Sequence, residues 1–237
     1  MKNIVDNICA VRAQISRAAH LTGRSPQSIQ LLAVSKTRQA DELRQAFTAG
    51  QHAFGENYLQ EGLDKIAALA DLAIEWHFIG PIQSNKTRQL AEHFHWVHSV
   101  DRLKVARRLS EQRPPNLPPL NVCLQVNISA EASKSGCLPD TVMDLALQVA
   151  QLPRLQLRGL MAIPAASQDA QLQQQAFAAL RTLLQQLQTE LPQLDTLSMG
   201  MSGDMDAAIA EGASIVRIGT SIFGPRTSPA NTQENSL

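Results

Sequence analysis

The chain has 237 residues, 44% hydrophobic and 18% charged, which suffices for one large core, and its 21 basic and 21 acidic residues cancel, leaving no nucleic-acid footprint. No apolar stretch approaches the ~20 residues of a membrane span, and Lys2, Asp6, Arg12 and Arg17 break up any signal-peptide core. Cys9, Cys123 and Cys137 lack metal or redox spacing, so free thiols in a reducing, cytoplasmic setting and no metal site are expected.

The first predicted element is an amphipathic helix, with Ile4, Ile8, Val11, Ile15 and Ala18–Ala19 on one face. The apolar run Leu31–Ser35 then reads as a buried strand ending at Lys36. Helical patterning at Ala40–Ala49 leads to strand His52–Gly55, and Tyr58–Ala70 leads to strand Glu75–Gly80. Lys86–Glu92 precedes strand Trp96–Val100, and Arg102–Gln112 turns Leu103, Val105, Ala106 and Leu109 inward with its basic residues in solvent. The proline-rich segment Arg113–Pro119 is neither helix nor central strand and connects into strand Asn121–Asn127. Helix Asp140–Gln151, strand Leu157–Ile163 and the glutamine-rich amphipathic helix Asp169–Leu191 follow. Strand Leu197–Ser202, helix Asp204–Gly212 and strand Ile215–Gly219 complete the pattern. Alternating strands and helices argue for parallel βαβ units. Eight such units in 237 residues fit a single (β/α)8 TIM barrel, usually of ~250 residues, with an extra amino-terminal helix. The barrel is expected over 1–226, with 227–237 as a flexible tail.

Chemistry gathers at one end of that barrel, where catalytic and binding groups follow the strands' carboxyl ends. Lys36 stands there. A desolvated amine at such a place forms Schiff bases with carbonyl compounds, whereas a solvated one merely snorkels from the strand end. The segments Ser198–Asp204 and Ser214–Gly224 both carry a strand into small, hydroxyl-bearing residues at a helix entrance: Ser202 and Gly203 in one, Gly219 and Thr220 in the other. Backbone N–H groups at helix entrances suit anions, and glycine allows close approach. Because the first strand of a closed barrel neighbours the last, Lys36 and these loops share one mouth. Asn57 reads either as a ligand-facing amide or as a helix cap. Glu56 and Tyr58 flank it at the mouth, His77 reads as a core histidine or a base, and Lys134 is a second lysine on the mouth side. Met161, Met199 and Met201 read as packing for the barrel or for a ligand ring.

Six blocks together resemble one family: Ala33–Lys36, Phe54–Glu61, His77–Gly80 with Gln83–Lys86, Asn127–Gly136, Gly159–Ala162 and Ser198–Gly224. The chain is similar over nearly its whole length to the pyridoxal phosphate homeostasis protein family and to the amino-terminal barrel of bacterial alanine racemase. The resemblance implies a fold type III barrel holding pyridoxal 5′-phosphate as a Schiff base on Lys36. It implies phosphate binding by Ser202, Gly203, Gly219 and Thr220, and cofactor contacts from Asn57 and Met161. Arg217, which by itself reads as a paired structural charge, inherits the role of donor to the pyridine nitrogen. An arginine there leaves that nitrogen unprotonated and the ring a poorer electron sink.

Three functions compete: a cofactor carrier acting in homeostasis, a racemase-type enzyme, and a cofactor-independent Schiff-base aldolase. The resemblance disfavours the aldolase. Racemisation needs acid–base groups on both faces of the substrate carbon. In alanine racemase a tyrosine serves one face from a second domain, which this chain is expected to lack. The expectation is therefore a monomeric carrier without substantial catalysis, whose partners are pyridoxal phosphate and cofactor-free pyridoxal enzymes, with no membrane or nucleic-acid partner.

Overall fold

The computed structural model describes residues 3–129, 131, 134–165, 167 and 169–225. The predicted tail at 227–237 lies outside them. Among the described residues eight strands form one closed parallel barrel: β1 (Gln30–Val34), β2 (Ala53–Glu56), β3 (Glu75–Phe78), β4 (Trp96–Val100), β5 (Leu120–Gln125), β6 (Leu155–Met161), β7 (Thr196–Ser198) and β8 (Ile215–Ile218). Closure comes from β1 pairing with β8, which sets Leu32 opposite Arg217 and Ala33 opposite Ile218. Strands of a parallel barrel are covered on both faces, so they read in sequence as continuous apolar runs.

Helix α1 (Ile4–Leu21) starts at an Asn3 cap whose side chain accepts from the Asp6 N–H, and buries Ile8, Val11, Ile15, Ala18 and Ala19. The connecting helices are α2 (Ala40–Thr48), α3 (Leu59–Ala68), α4 (Thr87–His93), α5 (Leu103–Gln112), α6 (Val142–Ala150), α7 (Ala170–Gln188), α8 (Met205–Ala210) and α9 (Thr220–Phe223). The main core lies between strands and helices. A second cluster of Leu32, Ala53, Ile79, Trp96, Cys123, Met161 and Ile215 fills the barrel's inside. The proline-rich connection is held by buried Arg113, which donates to the Ala91, Phe94 and Pro118 carbonyls. Among the described residues no helix is long and apolar enough to cross a membrane.

Strand ends differ from the predicted ones by no more than two residues except at β7. β7 stops at Ser198 instead of running to Ser202, because Gly200 turns the backbone at φ +93°. Only glycine fits there, since an added Cβ would lie 2.5 Å from that of Ala208. The turn that follows is closed by the Asp204 carboxylate, which accepts from the Met201 N–H at 2.5 Å.

Candidate cofactor site

Lys36 lies two residues beyond β1, in a turn closed by the Arg38 N–H donating to the Ser35 carbonyl. The next residue, Thr37, has φ +64°, a left-handed conformation that is costly for a β-branched side chain and persists only where its surroundings enforce it. The enforcing groups come from β2 and α3. Lys65 Nζ donates to the Ser35 carbonyl at 2.6 Å, to Glu56 Oε1 at 2.7 Å and to Glu61 Oε1 at 2.6 Å. Glu61 Oε1 in turn accepts from the Thr37 N–H at 2.5 Å, and Glu56 Oε1 accepts from Ser35 Oγ at 2.6 Å. Both neighbours of Lys36 are thus pinned by one buried ionic network. Burial pushes the Glu56 carboxyl above its usual range, and the Lys65 ammonium pulls it back. On the outer side, Arg38 donates to the Gly224 and Pro225 carbonyls, tying the turn to the end of α9.

A cavity of about 270 Å³ opens beside Lys36. Its polar wall is Lys36, Asn57, Ser202, Gly203, Arg217, Gly219 and Thr220; Val34, Ile79, Ile163 and Met201 form the apolar part. Eight of the residues singled out from the sequence, Met201 among them, therefore meet in one space. An added Cβ at Gly203 would meet nothing within 4 Å, so that backbone faces open room. At Gly219 an added Cβ would lie 3.1 Å from the Val34 carbonyl oxygen, a close approach of β1 and β8 that favours glycine. Asn57 does not cap α3: the cap position is Tyr58, and Asn57 Oδ1 is buried without a hydrogen-bond partner. Arg217 is buried, and burial lowers its guanidinium to about 10, which still leaves it cationic at neutral pH. It donates to Ser198 O at 2.5 Å, Ser198 Oγ at 2.9 Å and Ala162 O at 2.9 Å.

Other predicted residues fall elsewhere. Met161 is fully buried in the inner cluster beneath the cavity and does not line it, because β6 ends at Met161 and the rim falls to Ile163. Glu56 is buried in the Lys65 network and not at the mouth. Tyr58 is 58% exposed and lines a neighbouring groove with Gln83 and Lys86. Lys134 pairs with Glu131 at 3.1 Å and is not part of the cavity wall. His77 is a buried core histidine stacked on Trp96. Met201, by contrast, joins the cavity wall: it leaves the strand for the rim, 39% exposed beside Ile163. The residues that sequence reasoning missed are Lys65 and Glu61, one helical turn apart on α3; only their i, i+4 spacing hinted at a pair. Among the described residues no group of three or more His, Cys, Asp or Glu is placed to hold a metal ion.

A lysine past β1, facing anion-suited loops after β7 and β8, defines a lysine-bearing (β/α)8 barrel. The family model described as alanine racemase, N-terminal domain, matches residues 7–227. A Pseudomonas aeruginosa protein named pyridoxal phosphate homeostasis protein is 62% identical, over 95% of this chain and 97% of its own length. An Escherichia coli protein of the same name is 54% identical, over 95% of this chain and 98% of its own. The structure of PipY from Synechococcus elongatus with PLP bound is 40% identical at a TM-score of 0.82, covering 94% of this chain and 100% of that one. The chain belongs to the pyridoxal phosphate homeostasis protein family.

Proposed function

We propose that this protein holds pyridoxal 5′-phosphate as a Schiff base on Lys36 and serves as an intracellular carrier. It buffers the cofactor and passes it to cofactor-free pyridoxal enzymes without substantial turnover, as a monomer in the cytoplasm. The observation that carries the reading is the single cavity joining Lys36, Arg217 and the two hydroxyl-bearing loops. The names of the relatives and the PLP bound to PipY support the choice of cofactor.

The residues fit the group. Ser202 and Thr220 offer hydroxyls, and the open room at Gly203 lets phosphate oxygens approach backbone N–H groups. Arg217 can only donate, so it suits an unprotonated pyridine nitrogen. The unpartnered Asn57 Oδ1 offers an acceptor at the cavity wall. Val34, Ile79, Ile163 and Met201 supply apolar contact for an aromatic ring. When bound, the cofactor supplies an aldehyde for the lysine amine and a ring that withdraws electrons most strongly when its nitrogen is protonated.

The carrier reading is preferred to a racemase-type enzyme because of the lining. Among the described residues of the wall, Lys36 and Arg217 are the ionisable groups. Arg217 is a fixed cation, so Lys36 is the one group there suited to moving a proton, and a racemase needs a base on each face. The test is to mix loaded protein with a cofactor-free pyridoxal enzyme and time the recovery of activity. Recovery faster than with the same amount of free cofactor is expected; recovery no faster would remove delivery. Following α-hydrogen exchange of amino acids in deuterated water by NMR decides between carrier and enzyme. Rapid exchange lost in Lys36→Ala would favour the racemase reading.

A further inference from the structure

The buried side of Arg217 opens onto a relay of polar groups that crosses the inside of the barrel. Ser198 Oγ, 2.9 Å from the guanidinium, lies 2.8 Å from His98 Nδ1. His98 Nε2 lies 2.9 Å from His77 Nδ1, and His77 Nε2 lies 3.5 Å from Glu75 Oε2, close enough to feel its charge but without a hydrogen bond. Glu75 opens β3, so it sits at the end of the barrel opposite the cavity. There its carboxylate also accepts from Trp96 Nε1 at 2.7 Å and Gln30 Nε2 at 2.9 Å. Ser198, His77 and His98 have no exposed surface.

One order of donors and acceptors joins the two ends. Arg217 has no acceptor, so Ser198 Oγ accepts from it, and with its own hydrogen turned the other way it donates to His98 Nδ1. A neutral His98 then carries its hydrogen on Nε2 and donates to His77 Nδ1. His77 in turn carries its hydrogen on Nε2, the nitrogen 3.5 Å from the Glu75 carboxylate, whose negative charge favours that tautomer. Burial lowers the pKa of both imidazoles, which favours the neutral rings this order needs. Glu75 is pushed down to about 2, chiefly by the neighbouring His77 imidazole, with the Trp96 and Gln30 donors adding to it. The relay thus has a cation at one end, a carboxylate at the other, and neutral groups all polarised the same way between them.

We infer that Glu75 is a positioning residue for Arg217, acting across the barrel through His77, His98 and Ser198. By fixing both ring tautomers it keeps a lone pair of Ser198 Oγ turned toward the guanidinium and so fixes the donor direction that Arg217 presents to the cavity. The other charged group acting on Arg217 is Asp204, at the rim. Cys123 also neighbours it, as a thiol that burial raises to about 12 and so keeps neutral. The role toward a ligand rests on the function proposed above; the tautomers do not.

The test uses protein labelled with ¹⁵N-histidine, as wild type and as Glu75→Gln, with two readouts: ring-nitrogen shifts of His77 and His98, and the rate at which loaded protein loses pyridoxal phosphate to a trap. In the wild type both rings should be neutral with the hydrogen on Nε2 at pH 7. Glu75→Gln should bring up the Nδ1–H form of His77 and release the cofactor roughly three- to tenfold faster, the scale of one weakened charge-assisted hydrogen bond. Ser198→Ala interrupts the relay while leaving the Arg217 contacts to backbone carbonyls. It should shift His98 and speed release similarly, which keeps the inference testable if Glu75→Gln fails to fold. A wild-type ring that is protonated or carries hydrogen on Nδ1 overturns the inference, as do variants with unchanged tautomers and unchanged release. A wild type that does not retain the cofactor at all overturns the proposed function itself, and with it the role of Glu75 toward a ligand.

Discussion

Replacing Lys65 by methionine should destabilise the barrel severely and in a pH-dependent way. The side chain is 6% exposed, and its partner Glu56 has no exposed surface. Methionine fills similar volume but leaves the Glu56 carboxylate buried without its cation. Breaking a buried pair from one side costs about 3–5 kcal/mol. The pH dependence follows from Glu56, whose folded pKa is already raised by burial and loses in the variant the ammonium that lowers it. Above its unfolded value the folded state therefore holds a proton that the unfolded state does not, so stability falls as pH rises through that window. Urea unfolding at pH 7.5 and pH 5 measures both effects. The loss should approach the full figure at pH 7.5 and shrink at pH 5, nearer the range in which Glu56 takes up its proton. Adding Glu56→Gln to Lys65→Met should recover most of the loss at pH 7.5. A cost below about 1 kcal/mol at both pH values, or no recovery in the double variant, would refute the reasoning.

Two further outcomes follow from the loops and strands. Ser202→Ala should weaken cofactor retention by about 1.5–3 kcal/mol, the value of one hydrogen bond to a charged group, while Gly219→Val should weaken it more by crowding the Val34 carbonyl and the cavity; equal or reversed effects in a dialysis assay would move the phosphate elsewhere. Gly159→Ala should lower stability by roughly 1–3 kcal/mol, read by urea unfolding, because the added Cβ would lie 2.0 Å from the Thr196 carbonyl oxygen.

The barrel was legible in the sequence because parallel strands are covered on both faces, so Leu31–Ser35 stands out as an apolar run between amphipathic helices. That Lys36 and the loops at Ser202 and Gly219 share one cavity was legible because all three follow strand ends that a closed barrel brings to one mouth. The end of β7 was not: Met199 and Met201 look like strand residues, and only the left-handed Gly200 stops them. Depth along the barrel was also hidden. Alternation turns Met161 inward but does not tell whether it reaches the cavity wall or lies beneath it. Least readable were contacts between residues far apart in sequence. His98 and Ser198 are 100 positions apart, and nothing in either segment announces the other.

The measurement that bears most directly on the central claim is reduction of pyridoxal phosphate-loaded protein with borohydride, followed by proteolysis and mass mapping of the labelled peptide. The label should fall on Lys36, and Lys36→Ala should keep its fold by circular dichroism while taking up no label. Label chiefly on Lys134 or another lysine of the wild-type protein, or labelling undiminished in Lys36→Ala, would contradict the assignment of Lys36 as the residue that holds the cofactor.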